Sequence, residues 1–292
     1  MNSEKIVTAK KTHWFNKARI QKIAADFSFT EGPVWHPDQY FLFSDTPANK
    51  IFQLFTDGKL LVYLENSGLT HTNTGDLSDQ VGSNGLALNK NNQLFICQHG
   101  NHAIAVLNEE KQISILINEY DGLPFNSPND LVFRSDGILY FIDPPYGLAG
   151  QTLHPDQFQP CAGIYKHDGD TVELAGKELQ YPNGVCFSPD ETCLYVSSNH
   201  PGERYVLKYK VSSKGNIRYE GILVKENADG IKTDWQGNIY MATGEGILVV
   251  SPLGEKLGLI PLPGMATNLA WGGTSGETLC VTAANSIYLV TP

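Results

Sequence analysis

One unit recurs six times along the chain, and this periodicity restricts the fold more than any other feature. Each copy opens on a polar residue, usually followed by glycine. It then runs through alternating apolar residues into a turn and a second strand-like run. The first copy reads Glu31-Gly32-Pro33-Val34-Trp35-His36-Pro37-Asp38, then Tyr40-Phe41-Leu42-Phe43-Ser44-Asp45. Later copies begin at Asn84-Gly85-Leu86, Asn129-Asp130-Leu131, Asn183-Gly184-Val185 and Asp229-Gly230-Ile231, with a weaker sixth at Asn268-Leu269-Ala270. The starts at 31, 84, 129, 183, 229 and 268 are 53, 45, 54, 46 and 39 residues apart, a mean of about 47, which matches a propeller blade. Turns inside the copies are Pro-Asp, Asp-Gly or Gly-Asn, the chemistry of tight hairpins. Further short runs between copies, such as Gly163-Ile164-Tyr165-Lys166, bring the count to about four strands per repeat. No stretch keeps a helical period. The expectation is therefore an all-β, six-bladed β-propeller forming one domain over residues 1–292, with 1–17 as an N-terminal extension. Little chain follows the last hairpin, so the strand-like Ala18-Arg19-Ile20-Gln21-Lys22-Ile23 is expected to complete the final blade and close the ring.

Composition removes other classes. The net charge is −10 with no Lys/Arg run, which disfavours nucleic acid as a partner. The longest apolar runs are short, as at 247–250, so no segment approaches a membrane span. Residues 1–11 are polar and lack the apolar stretch of a signal peptide. Five cysteines without a CxxC spacing argue against a disulfide framework or zinc site and for reduced thiols in the cytoplasm. Cys186 and Cys193 remain near enough along the chain to pair across a hairpin.

The first residues of the repeats are Glu31, Asn84, Asn129, Asn183, Asp229 and Asn268. Equivalent positions of successive blades point at one level of the central channel, so these side chains should converge. Two carboxylates among amide oxygens, without Cys or His, form a site for a hard cation. Ca²⁺ takes six to eight oxygens, and Glu31 with Asp229 would offset its charge. Without a cation, the carboxylates would repel and one would take up a proton. The competing reading is that Asn-Gly and Asp-Gly simply mark turns before strands. Glu31 fits that reading poorly.

Several segments together resemble the gluconolactonase/regucalcin (SMP-30-like) family. They are Glu31-Gly32-Pro33-Val34-Trp35, Ser127-Pro128-Asn129-Asp130, Asp143-Pro144-Pro145-Tyr146-Gly147, Tyr181-Pro182-Asn183-Gly184 and Ala228-Asp229-Gly230. The similarity runs from about Phe27 to the C-terminus, and the Asp-Pro-Pro-Tyr-Gly element resembles the bacterial and plant gluconolactonase-like branch. The resemblance implies a six-bladed propeller with one divalent metal in its channel. By that likeness Glu31, Asn183 and Asp229 ligate the metal, and Asn129 touches the metal, its water or the substrate. Ca²⁺ is the expected ion, although sites of this kind also accept Mg²⁺, Mn²⁺ or Zn²⁺. Asp229 also matches the family's proposed proton donor or acceptor. The substrate-binding Arg of animal members is replaced here by Ser127, and the His of related paraoxonases by Asn84.

The expected chemistry is metal-dependent hydrolysis of a small sugar lactone, with the cation polarising the carbonyl and activating water. Two residues compete as general base. Asp229 is the first, but a carboxylate on a cation loses basicity. His99 is the second, because Cys97-Gln98-His99-Gly100-Asn101 directly follows a strand of repeat two and could reach the channel mouth. His200 follows the corresponding strand of repeat four, where a turn role suits it better. Asn129, Asn84, Tyr146 and Asn101 are the candidate substrate-binding residues. The polar stretch 66–80 is long enough to cover the site. Serine-nucleophile chemistry is disfavoured because no Gly-x-Ser-x-Gly elbow is present. Two alternatives stay open: hydrolysis of other lactones, aryl esters or phosphotriesters, and a non-enzymatic Ca²⁺-binding or protein-interaction propeller.

Overall fold

Six four-stranded antiparallel sheets follow one another around a central channel, as the computed structural model shows for residues 14–71 and 75–292. Blade 1 contains Thr30–His36, Tyr40–Asp45, Lys50–Phe55 and Leu60–Glu65, paired in that order from the channel outward. The inner strands of blades 2 to 6 are Ser83–Leu88, Leu131–Phe133, Pro182–Phe187, Ile231–Thr233 and Asn268–Gly272. Each begins at or within two residues of the head of its repeat. Arg19–Ala24 adds to the last blade by pairing antiparallel with Ser286–Thr291, so strands from both ends of the chain share one sheet. A closed ring leaves no open edge between its first and last blades. Residues 1–13 of the expected extension lie outside the described residues.

Helix among the described residues is confined to two short 3₁₀ turns, Trp14–Lys17 and Ala149–Gln151. Among the described residues no helix is long and apolar enough to cross a membrane. All five cysteines are free. Cys186 faces Tyr195, not Cys193, in the register of blade 4, so the hairpin disulfide left open by the sequence does not form.

The sheets pack face to face through the apolar residues that alternate along their strands. Tyr40–Asp45 is buried along its whole length, because both of its faces meet neighbouring blades. Between blades 2 and 3, Phe125, Phe141 and Tyr165 are fully buried, and Phe125 meets both other rings edge-on at 5.1 and 5.0 Å. Each such ring contributes about 1.5–3 kcal/mol by leaving water. This rigid packing fixes the position of the inner strands, and with them the repeat heads.

The x-Gly pairs of blades 1, 2 and 4 lie inside strands, against the turn reading, while Asp229-Gly230 lies just before its strand. Blades 1, 2 and 4 carry a bulge at the head of the repeat, between Glu31 and Val34, Ser83 and Leu86, and Pro182 and Val185. A bulge re-aims a side chain away from the sheet's own alternation. Glycine follows because the next blade comes very close. A Cβ on Gly85 would stand 2.6 Å from the Asn129 carbonyl oxygen, and one on Gly184 the same distance from that of Asp229. Gly85 N–H also donates to Asn129 O at 2.7 Å, stitching one blade to the next.

Candidate active site in the channel

All six head residues are buried: Glu31, Asn84, Asn129, Asn183, Asp229 and Asn268 are at most 8% exposed. Five of them line one cavity of about 230 Å³ at one end of the channel. Asn268 is the exception. Its Nδ2 donates to Glu31 Oε2 at 3.0 Å, so it orients the carboxylate from behind. Gly32 N–H donates to the same oxygen at 2.9 Å.

Asp229 is held on one side only. Asn199 Nδ2 donates to its Oδ2 at 3.2 Å, while its buried Oδ1 has no partner. Asn84 Oδ1 is likewise buried and unpartnered. Burial pushes the carboxyl groups of both Glu31 and Asp229 well above the usual carboxylate range, and their mutual repulsion raises Asp229 further. Two carboxylates left this way are short of positive charge.

The charge deficit can be counted. Asp130, 2% exposed, receives Lys232 Nζ at 3.4 Å, and both groups act electrostatically on Glu31. Three carboxylates against one ammonium leave a formal charge of −2 in the ionised channel. Among the described residues, no three His, Cys, Asp or Glu side chains cluster as a metal site. A cation here would instead be held by two carboxylates with the amide oxygens of Asn129 and Asn183. That all-oxygen donor set, the two orphaned oxygens and the −2 balance fit a hard divalent ion.

His99 is 1% exposed and lines the same cavity. Its Nδ1 lies 3.0 Å from Gln80 O. A carbonyl can only accept, so Nδ1 carries the proton and Nε2 presents a lone pair. That nitrogen is buried and makes no hydrogen bond of normal geometry, though the Asn129 side chain stands close enough to act on it. Burial holds the imidazole down to about 4, against weaker support from Gln80 and Asn129, so it is neutral at physiological pH.

Tyr146 also lines the cavity. Its loop is firmly built: Asp143 accepts from Asn126 N, Ser127 N and Asn126 Nδ2 at 2.8, 2.8 and 3.1 Å. Ser127 Oγ donates to Pro144 O and accepts from Gly147 N. Ser127 is thereby consumed in shaping the loop and offers nothing to a ligand.

Asn101, expected to bind substrate, does not line the cavity. Its Oδ1 accepts from Thr70 N and Oγ1, both at 3.1 Å, and its Nδ2 donates to Gln98 Oε1. It ties down the polar stretch 66–80, of which 72–74 lie outside the described residues. That stretch also bonds to the Tyr146 loop through Ser78 Oγ to Tyr146 O and Ala149 N to Asp76 O, and it brings Gln80 to the cavity wall. His200 stacks on Tyr181 at 4.2 Å and accepts from Gly202 N, which is the turn role that suited it.

The sequence reading missed Asn199, Gln80, Gln151, Phe29 and Met265, all of which line the cavity. They come from loops that do not repeat. For Asn199 alone a signal existed, since it follows a blade-4 strand as His99 follows a blade-2 strand. Among the described residues no Lys or Arg lines the cavity.

The model of the SMP-30/Gluconolactonase/LRE-like region matches residues 29–285. A gluconolactonase of Zymomonas mobilis is 32% identical over 286 residues, covering 93% of this chain and 80% of that protein. A lactonohydrolase of Aspergillus oryzae is 28% identical over 193 residues, covering 56% of this chain and 44% of that protein. Among solved structures, a gluconolactonase from Xanthomonas campestris superposes with a TM-score of 0.81 at 26% identity, covering 94% of this chain and 89% of that one.

Proposed function

We propose, on the premise that the chain belongs to the SMP-30/gluconolactonase/LRE-like family, that it is a gluconolactonase-like hydrolase of a small neutral sugar lactone. The observation that carries this reading is one cavity holding a partnerless Asp229 oxygen and a partnerless His99 nitrogen, both buried. Among the described residues no Lys or Arg stands in it to meet a phosphate or carboxylate, and its size suits a single ring.

Glu31, Asn129, Asn183 and Asp229 are the residues that would hold a divalent cation, most readily Ca²⁺. Such an ion, when bound, supplies Lewis-acid polarisation of a carbonyl oxygen. The remaining work falls to the chain. His99 Nε2 accepts a proton from the attacking water, with Gln80 O fixing the tautomer that frees this lone pair. Asp229 serves as a ligand in this scheme, since its oxygens would be engaged by the cation and by Asn199. Asn84, whose Oδ1 is free, and Asn129 offer hydrogen bonds to the lactone hydroxyls. Tyr146 closes one wall, and the strapped 66–80 stretch limits water on its side.

Phe29 and Met265 give part of the wall an apolar character, which keeps a second substrate class open: lactones or esters with an apolar substituent. A pH-stat assay with D-glucono-1,5-lactone, before and after chelation and Ca²⁺ readdition, tests the reading. Chelator-sensitive, Ca²⁺-restored hydrolysis is expected. Hydrolysis indifferent to chelator overturns the metal-dependent mechanism, and an absence of hydrolysis under all conditions overturns the sugar-lactone assignment.

A further inference from the structure

Asn199 and Tyr146 are not repeat heads, yet they join two of the heads across the cavity. Tyr146 follows Leu139–Ile142 in blade 3, and Asn199 follows Cys193–Ser198 in blade 4. The hydrogen bonds through them run in one direction. Asn129 Nδ2 donates to Asn183 Oδ1 at 3.1 Å, and Asn183 Nδ2 donates to Tyr146 Oη at 3.3 Å. Tyr146 O–H then donates to Asn199 Oδ1 at 2.8 Å, and Asn199 Nδ2 donates to Asp229 Oδ2 at 3.2 Å.

The direction is imposed from the end. Asn199 Nδ2 faces Asp229 Oδ2, and an amide nitrogen only donates, so the amide oxygen of Asn199 is turned to Tyr146. The phenol therefore donates to Asn199, and its oxygen is left to accept from Asn183. Asn183 Nδ2 is committed to that bond, which makes Oδ1 the Asn183 atom offered to the channel. At the far end, Asp229 Oδ2 is occupied and Oδ1 is left bare. The phenol itself has little freedom, because Ser78 Oγ and the Asp143-centred turn pin its backbone.

We propose that Tyr146 and Asn199 are positioning residues that orient two oxygen donors of the channel together, Asn183 directly and Asp229 through Asn199. This rests on the reading above that those donors hold a divalent cation. Tyr146 then acts on the site through its hydroxyl, beyond serving as an aromatic wall.

The test is calorimetric titration of CaCl₂ into chelator-stripped wild type, Tyr146→Phe, Asn199→Ala and the double variant, each with its melting temperature in chelator. Each single change is expected to weaken Ca²⁺ binding about tenfold, as losses behind metal ligands do, with the melting temperature nearly unchanged. Because both changes cut one chain, the double variant should lose no more than the worse single. Tyr146→Phe keeps the ring and its packing, so it decides the matter even if Asn199→Ala fails to fold. Single variants that bind within about twofold of wild type, or losses that multiply in the double variant, overturn the proposal. A wild type that binds no Ca²⁺ overturns instead the metal reading on which it rests.

Discussion

Replacing Lys232 with methionine probes the charge balance beneath the candidate site. The Lys232 ammonium stands 3.4 Å from Asp130 Oδ2, which also accepts Val185 N–H at 3.2 Å. Methionine preserves most of the aliphatic stem and removes the charge. Stripping one partner from a buried ion pair costs about 3–5 kcal/mol. The Lys232 side chain keeps 26% of its exposure, so the lower end, ~3 kcal/mol, applies. A chain of 292 residues loses about 0.6 kcal/mol per degree near its melting point, so the variant should melt about 5 °C lower in chelator. The channel would then carry −3, and Ca²⁺ should raise the variant's melting temperature more than that of wild type. Adding Asp130→Asn should recover part of the loss, since no carboxylate is left alone. Differential scanning calorimetry in chelator and in excess CaCl₂ reads all of these. A variant within about 1 °C of wild type in chelator, or a double variant no more stable than Lys232→Met, would refute the charge argument.

Three further predictions bear on the site. His99→Gln should lower kcat for lactone hydrolysis at least about 100-fold while leaving Ca²⁺ binding intact, measured by steady-state kinetics and titration calorimetry; near-normal kcat would remove His99 as base. The same histidine sets a pH effect. Its folded value of about 4 lies below the ordinary 6.5, so the unfolded chain takes the proton first as pH falls. Its contribution is complete above 6.5 and lost toward 4, up to ~3 kcal/mol, so denaturant titrations of His99→Gln should show a flatter decline across that window than wild type. Gly184→Ala should destabilise by about 1–3 kcal/mol, because the new Cβ meets Asp229 O, and should weaken Ca²⁺ binding as Asp229 is displaced; a neutral variant would contradict the close blade approach.

The propeller was legible because it is written six times. Hairpin turns, alternation and spacing all agree, and the repeat heads name five residues of one cavity. What distance does to chemistry was not legible. The Asp130–Lys232 pair joins residues 102 positions apart. Nothing in the sequence near Lys232 says that an ammonium enters the channel. The head glycines admitted two readings, turn or channel, until the neighbouring backbone at 2.6 Å from Gly85 and Gly184 showed that the space itself excludes a side chain. Asn101 is a related case: it lies two residues from His99, but only the fold shows that its side chain bonds to Thr70. Asn199 follows a blade-4 strand as His99 follows a blade-2 strand, so the repeat pattern held a signal for it, unlike for Gln80, Gln151, Phe29 and Met265.

Crystals grown or soaked with Ca²⁺, with Mn²⁺ as an anomalous-scattering substitute, would show whether buried oxygens of different blades together form a site for one divalent cation. One ion is expected in the channel, shared by Glu31, Asn129, Asn183 and Asp229. A channel free of metal density at saturating Ca²⁺, or an ion bound away from Glu31 and Asp229, would contradict it.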